Sequence, residues 1–182
     1  MLNYIGIINI IFFIATVAIL IRKNPWFTIK KHTLSDLARS EKTGKLFNLT
    51  LLIFSVNQVI FAVAVYLKLA DQVSHFVLPL FIIGGIFLGF ASFFTTHKYP
   101  LIHTITAILC TACVGTAVIL LAIALLKINY FWGLLIIGAT ASLPLIYINK
   151  RFLPGGIFEI PIFSVIALWN FIFSLLLFGY IK

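Results

Sequence analysis

Residues 103–126 read HTITAILCTACVGTAVILLAIALL, an apolar run without a single Asp, Glu, Lys or Arg. A transmembrane helix needs roughly 20 predominantly apolar residues, and the run lacks the period-two alternation of a barrel strand. It reads as a helix that uses lipid as its solvent. Five further runs have the same character: about Asn3 to Ile21, Leu46 to Leu69, Phe76 to Phe94, Tyr130 to Ile148 and Ile157 to Ile181. With 63% hydrophobic and 9% charged residues and a mean hydropathy of +1.19, the chain has more apolar surface than a soluble core of its size can hide. The links between runs are too short for a second domain. The sequence therefore predicts one all-α integral membrane domain over residues 1–182, a six-transmembrane-helix bundle with a short interfacial helix between the first two spans.

Charge sets the expected orientation. Links one-to-two, three-to-four and five-to-six carry Arg22, Lys23, Lys30, Lys31, Arg39, Lys42, Lys45, Lys98, Lys150 and Arg151, against Lys68, Lys127 and Lys182 on the other side. Cytoplasmic links are enriched in Lys and Arg, so residues 22–45 are expected in the cytoplasm and both termini outside, in a multi-pass protein of the cell membrane. The net charge of +9 then reflects orientation and contact with membrane lipids. There is no basic tail, and nucleic acid is not an expected partner. The first run has no basic region before it and no small-residue cleavage site after it, so it is expected to be retained as a helix.

Arg22 to Lys45 is the longest polar stretch. Asn24-Pro25 favours a turn, and Trp26-Phe27 suits the membrane interface. In Thr33-Leu34-Ser35-Asp36-Leu37, a hydroxyl followed by an acid in the first turn favours a short helix, expected from about Ser35 to Lys42. Trp26, Phe27, Leu34 and Leu37 give the loop an apolar side, which should pack on the bundle.

The order Asn24-Pro25-Trp26-Phe27, Leu34-Ser35-Asp36-Leu37 and Phe47-Asn48, with Glu159 ahead of the apolar run containing Trp169, resembles the prokaryotic membrane family known as domain of unknown function 998. The likeness is concentrated in residues 20 to 60, and Ala38 stands where that pattern has Gly. The resemblance implies a six-span membrane fold and brings no assigned chemistry. The Ser-Asp loop alone is also similar to Frag1 and DRAM-type multi-span proteins.

Ionisable groups near the hydrocarbon tend to be paired, to line water or to do chemistry. Ser35, Asp36, His97, His103 and Glu159 all fall on the basic side of the expected topology and are expected to meet at one cytoplasmic mouth. Polar stripes are expected along the fourth span (His103, Thr106, Cys110, Cys113), the sixth (Glu159, Asn170) and the second (Asn48, Ser55 and Gln58, with Asn57 beside them), since these spacings return to one helix face. In a catalytic reading, a carboxylate of Asp36 or Glu159 orients the His103 imidazole, and Ser35 serves as nucleophile. His97, Asn48, Asn170, Arg39 and Trp26 would contact an amphipathic ligand. The competing reading gives every one of these residues to interhelical bonding alone, in a non-catalytic binding, transport or structural bundle.

No resident cofactor is expected. A divalent metal held by His97, His103, Asp36 and Glu159 is the alternative, although their spacing matches no known ligand motif. Cys110-Thr111-Ala112-Cys113 has the spacing of a redox pair but lies deep in an apolar run. Gly85-x-x-x-Gly89 and Gly138 with Ser142 suit close helix packing, internal or in a homo-oligomer formed through the third or fifth span.

Overall fold

The computed structural model describes residues 4–95, 97–148 and 155–181. Asn3, Lys150, Arg151 and Lys182, which entered the expectations above, lie outside the described residues. Among the described residues all regular structure is helical, in the order α1 (Ile5–Lys23), α2 (Gly44–Lys68), α3 (Val77–Phe93), α4 (Pro100–Leu126), α5 (Tyr130–Ala141), α6 (Leu143–Ile148) and α7 (Glu159–Phe178). Two short 3₁₀ turns, Leu34–Arg39 and Gly155–Phe158, lie in the links.

Four helices, α1, α2, α4 and α7, are long and apolar enough to cross a membrane, and the remaining apolar helices are shorter. The chain is therefore a multi-pass membrane protein. The third run forms a helix of 17 residues. The fifth run, expected to be continuous, breaks at Ser142. Pro144 follows that break and has no N–H to offer the carbonyl four residues earlier, while the Ser142 hydroxyl turns back to the Ala139 carbonyl at 2.7 Å.

Local chemistry sets the helix ends. Asn24 terminates α1 by donating its amide to the Leu20 carbonyl and to the Thr43 hydroxyl, both at 2.7 Å, which ties the end of α1 to the start of α2. Pro100 opens α4, where a missing N–H costs nothing. Gly179 closes α7 with φ +80°, a conformation glycine adopts freely.

α3 packs on α2 and α4, α4 on α5, and α1 on α2 and α7. Lipid offers no hydrophobic driving force between helices, so van der Waals fit and hydrogen bonds hold them together. Trp169 is 2% exposed and is surrounded by Phe81, Phe61 and Phe173, with ring centroids 5.3, 5.4 and 5.9 Å away. A second cluster stacks Phe13 on Phe54 and Phe163 at 4.6 and 5.0 Å.

This second cluster anchors the polar loop. Phe27 and Leu37 are buried with it, so residues 22–45 pack on the helices. The expected helix at Ser35 to Lys42 is instead a 3₁₀ turn that starts one residue earlier and ends at Arg39. Thr33 begins the turn, donating its backbone N–H and hydroxyl to Asp36 Oδ2 at 2.8 and 3.1 Å. Ser40 ends it in an extended conformation.

Gly85 and Gly89 face α2 of the same chain. A Cβ added at Gly85 would collide with Val59, and one at Gly89 would touch Leu52 at 3.7 Å. That pair is used for internal packing, whereas a Cβ added at Gly138 would meet nothing within 4 Å.

Candidate functional site

The polar residues of α2 do not share one centre. Ser55 donates to the Gly85 carbonyl of α3 at 2.6 Å. Asn57 donates to Asn9 Oδ1 of α1 at 3.2 Å, and Asn9 in turn donates to the Phe54 carbonyl at 3.3 Å. Gln58 and Asn170 of α7 exchange amide bonds at 3.3 and 3.4 Å. Consecutive helical residues point about 100° apart, and each of these three side chains reaches a different neighbour. Asn48 is half-buried and does not line the cavity described below.

A cavity of about 220 Å³ runs between α2, α3, α4 and α7. Its lining repeats at helical spacing: Phe47, Leu51, Phe54 and Gln58 from α2; Phe81, Gly84, Gly85 and Leu88 from α3; His103, Ala107, Cys110 and Val114 from α4; Glu159, Phe163, Ile166 and Trp169 from α7. The expected α4 stripe is thus rotated. His103 and Cys110 face the cavity, but Thr106 is buried against its own helix, bonding the Ile102 and His103 carbonyls at 3.0 and 2.9 Å, and Cys113 is not part of the lining. Ala107 and Thr111 line the cavity and are also exposed, so it opens sideways beside α4.

Of the five residues expected to meet, Ser35, His103 and Glu159 line this cavity, and Asp36 and His97 do not. They are engaged separately, however. Glu159 Oε2 accepts the Leu34 backbone N–H at 2.6 Å, and Ser35 donates its hydroxyl to Thr33 Oγ1 at 2.9 Å, since the Thr33 hydroxyl proton is given to Asp36. Asp36 is occupied by Thr33 and by Arg39, whose guanidinium lies 3.0 Å from Oδ1. His103 Nδ1 bonds the Phe94 carbonyl at 2.8 Å. A carbonyl can only accept, so the proton is on Nδ1 and Nε2 of the neutral ring keeps its lone pair.

The expected contact of Asp36 or Glu159 with an imidazole is therefore absent from the hydrogen bonds and ion pairs of the described residues. His97 is exposed and is not part of the cavity lining. No group of three or more His, Cys, Asp or Glu among the described residues has metal-holding geometry. Asn170 does not line the cavity; it bonds Gln58 and the Ile166 carbonyl, two residues that do. Trp26, 43% exposed, donates its indole N–H to Asn24 Oδ1 at 3.1 Å, and Trp26 and Arg39 line a separate recess.

Among the lining residues that the sequence reading did not assign to the site, two carry orphaned polar groups. The Thr140 hydroxyl and the Trp169 indole nitrogen are buried without a hydrogen-bond partner, although such groups are normally paired. A signal for Trp169 was present, since tryptophan in membrane proteins favours the interface and this one lies in mid-span.

These features define a helical multi-pass membrane protein with an apolar cavity, polar at one end and open to its side. The chain belongs to the DUF998 family, described as a protein of unknown function, which it matches over residues 7–176. No curated protein and no solved structure matches it.

Proposed function

We propose that the protein is a single six-span domain of the cell membrane that binds the apolar part of a lipid or other amphipathic ligand in the α2–α3–α4–α7 cavity. In this reading its basic face is cytoplasmic and both termini are outside. The observation that carries it is the cavity itself, with Ser35, His103 and Glu159 at one end and Phe13, Phe54, Phe81, Phe163 and Trp169 along its walls. An apolar cavity of about 150 Å³ admits one benzene, so the 220 Å³ here corresponds to roughly nine heavy atoms, a segment of one acyl or prenyl chain. The side opening favours entry from the lipid phase. The unpartnered Thr140 and Trp169 groups favour a ligand with an oxygen acceptor within its apolar portion, because the indole N–H can only donate.

Binding without chemistry fits the geometry better than hydrolysis, since Ser35 is paired with Thr33 and neither acid serves a base. One observation favours a catalytic variant: the Nδ1–H bond of His103 leaves Nε2 free as a base on the cavity. That variant requires Ser35 to leave Thr33, and it demands loss of turnover in both Ser35→Ala and His103→Ala.

The test uses bromine quenching. In a Trp26→Phe/Trp132→Phe background Trp169 is the only tryptophan left, as the chain has three, and a dibrominated fatty acid added to the protein in nanodiscs should quench it saturably. Ala107→Phe, at the side opening, should weaken quenching. Thr104→Phe, on the same helix and away from the cavity, should not. Quenching that never saturates, or that Ala107→Phe leaves unchanged, refutes the binding site.

A further inference from the structure

A second recess, sharing no lining residue with the first, lies where α1 ends. It encloses about 550 Å³ between Lys23, Asn24, Pro25, Trp26, His32 and the segment from Arg39 to Lys42. Lys23 is the last residue of the candidate span α1, so the recess sits at the end of a span. It brings together three cations, Lys23, Arg39 and Lys42, against one carboxylate, Glu41. One edge of the Arg39 guanidinium is held by Asp36 at 3.0 Å, which fixes the side chain and leaves its remaining N–H groups free to donate.

His32 adds a defined donor. Its Nδ1 accepts the Thr28 backbone N–H at 3.1 Å, so the proton of the neutral ring is on Nε2. The ring is further fixed by edge contact with Trp26, centroids 5.2 Å apart. The floor is equally set: Asn24 is buried, bonded to Leu20 and Thr43 through its amide and to the Trp26 indole through its oxygen. A concave site with converging cations, a held imidazole and a held guanidinium suits an oxyanion, and Arg in particular suits phosphate.

We infer that this recess is a phosphate-binding site for the headgroup of an anionic phospholipid. The phosphate chemistry follows from the donors. The lipid source follows from the position at the end of α1 and from the exposed Trp26 on the rim, because aromatic side chains with a polar tip settle at headgroup depth. The inference is independent of the cavity ligand: it uses none of the same residues and survives the loss of that reading.

The test separates a built site from diffuse attraction between a basic loop and any anion. Dioctanoyl phosphatidylglycerol is titrated calorimetrically into the protein in maltoside micelles. The expected outcome is saturable binding, weakened about tenfold or more in Lys23→Gln/Arg39→Gln/Lys42→Gln, since each basic group near a charged lipid surface contributes appreciably. Lys30→Gln/Lys31→Gln/Lys45→Gln removes the same charge from residues of the same loop that do not line the recess, and should weaken binding less than about twofold. Equal losses in the two triple variants overturn the site, as does equal binding of dioctanoyl phosphatidylcholine. Glycerol phosphate serves as the soluble arm. If it competes as well as the lipid binds, the lipid source is overturned in favour of a soluble phosphate ligand. Hydrogen exchange of α2 in the recess variant checks that the fold is intact, and Lys23→Arg should retain binding.

Discussion

Glu159→Ala should release the polar loop from the cavity mouth. The Glu159 carboxylate accepts the Leu34 backbone N–H at 2.6 Å, across 125 residues of sequence, and a neighbouring backbone bond runs from Gly156 N–H to the Ile29 carbonyl at 2.8 Å. Leaving a partly buried amide N–H without its acceptor costs about 1–3 kcal/mol. At about 1.4 kcal/mol per factor of ten, loss of this bond should raise local opening at Leu34 by about fivefold to a hundredfold. The whole loop should not detach, because Phe27 and Leu37 remain buried and the Ile29 bond does not involve the side chain. Glu159→Gln keeps an acceptor oxygen at the same position, so its effect should be smaller than that of Ala. Deuterium exchange read by mass spectrometry on peptides covering residues 29–38, in nanodiscs, measures this directly. Unchanged exchange in Glu159→Ala refutes the latch, and equal effects of Ala and Gln refute the side-chain oxygen at position 159 as the acceptor.

Gln58→Leu and Asn170→Leu should each destabilise the protein by about 1–3 kcal/mol, because Asn170 is left with only the Ile166 carbonyl in the first and Gln58 loses both amide bonds in the second. The double variant should show a coupling of roughly 0.6–1.7 kcal/mol, the range for interhelical bonds in membranes, in dodecyl sulfate titrations of maltoside-solubilised protein; a coupling of zero contradicts the pairing. For orientation, Lys31→Cys in a Cys110→Ala/Cys113→Ala background should react with an impermeant maleimide in inverted vesicles and not in intact cells. The reverse pattern overturns the cytoplasmic assignment of residues 22–45.

The long apolar runs that became α1, α2, α4 and α7 were legible because length and continuity suffice to mark a lipid-spanning helix. The capping pattern at Thr33 and Asp36 was legible for a similar reason: its partners lie three residues apart. What failed was direction. A helical period of 3.6 leaves neighbouring stripes one residue apart indistinguishable, so Thr106 was assigned to a face that Ala107 occupies. Thr50, Thr104, Thr106 and Thr111 all return their hydroxyls to carbonyls of their own helix, so polarity alone did not reveal which side faced a neighbour. The true partners of Glu159 and His103 are the Leu34 amide and the Phe94 carbonyl. Backbone groups are carried by every residue, and no letter of the sequence distinguishes the ones that will be used.

The pairing of α3 with α4 has a consequence for the bilayer. Helices of 17 and 27 residues pack side by side, with axes of about 26 and 40 Å at 1.5 Å per residue. The hydrocarbon layer is about 30 Å thick, so neither helix matches it when upright. In the proposed six-span reading, in which α3 crosses beside α4, a bilayer that suits the short member is too thin for the long one, and the mismatch is relieved by tilting α4 or by drawing the leaflets together around α3. The two adjustments act at one interface and cannot be made independently. In that reading membrane thickness is coupled to the α3–α4 contact, and through it to the wall of the cavity that both helices form.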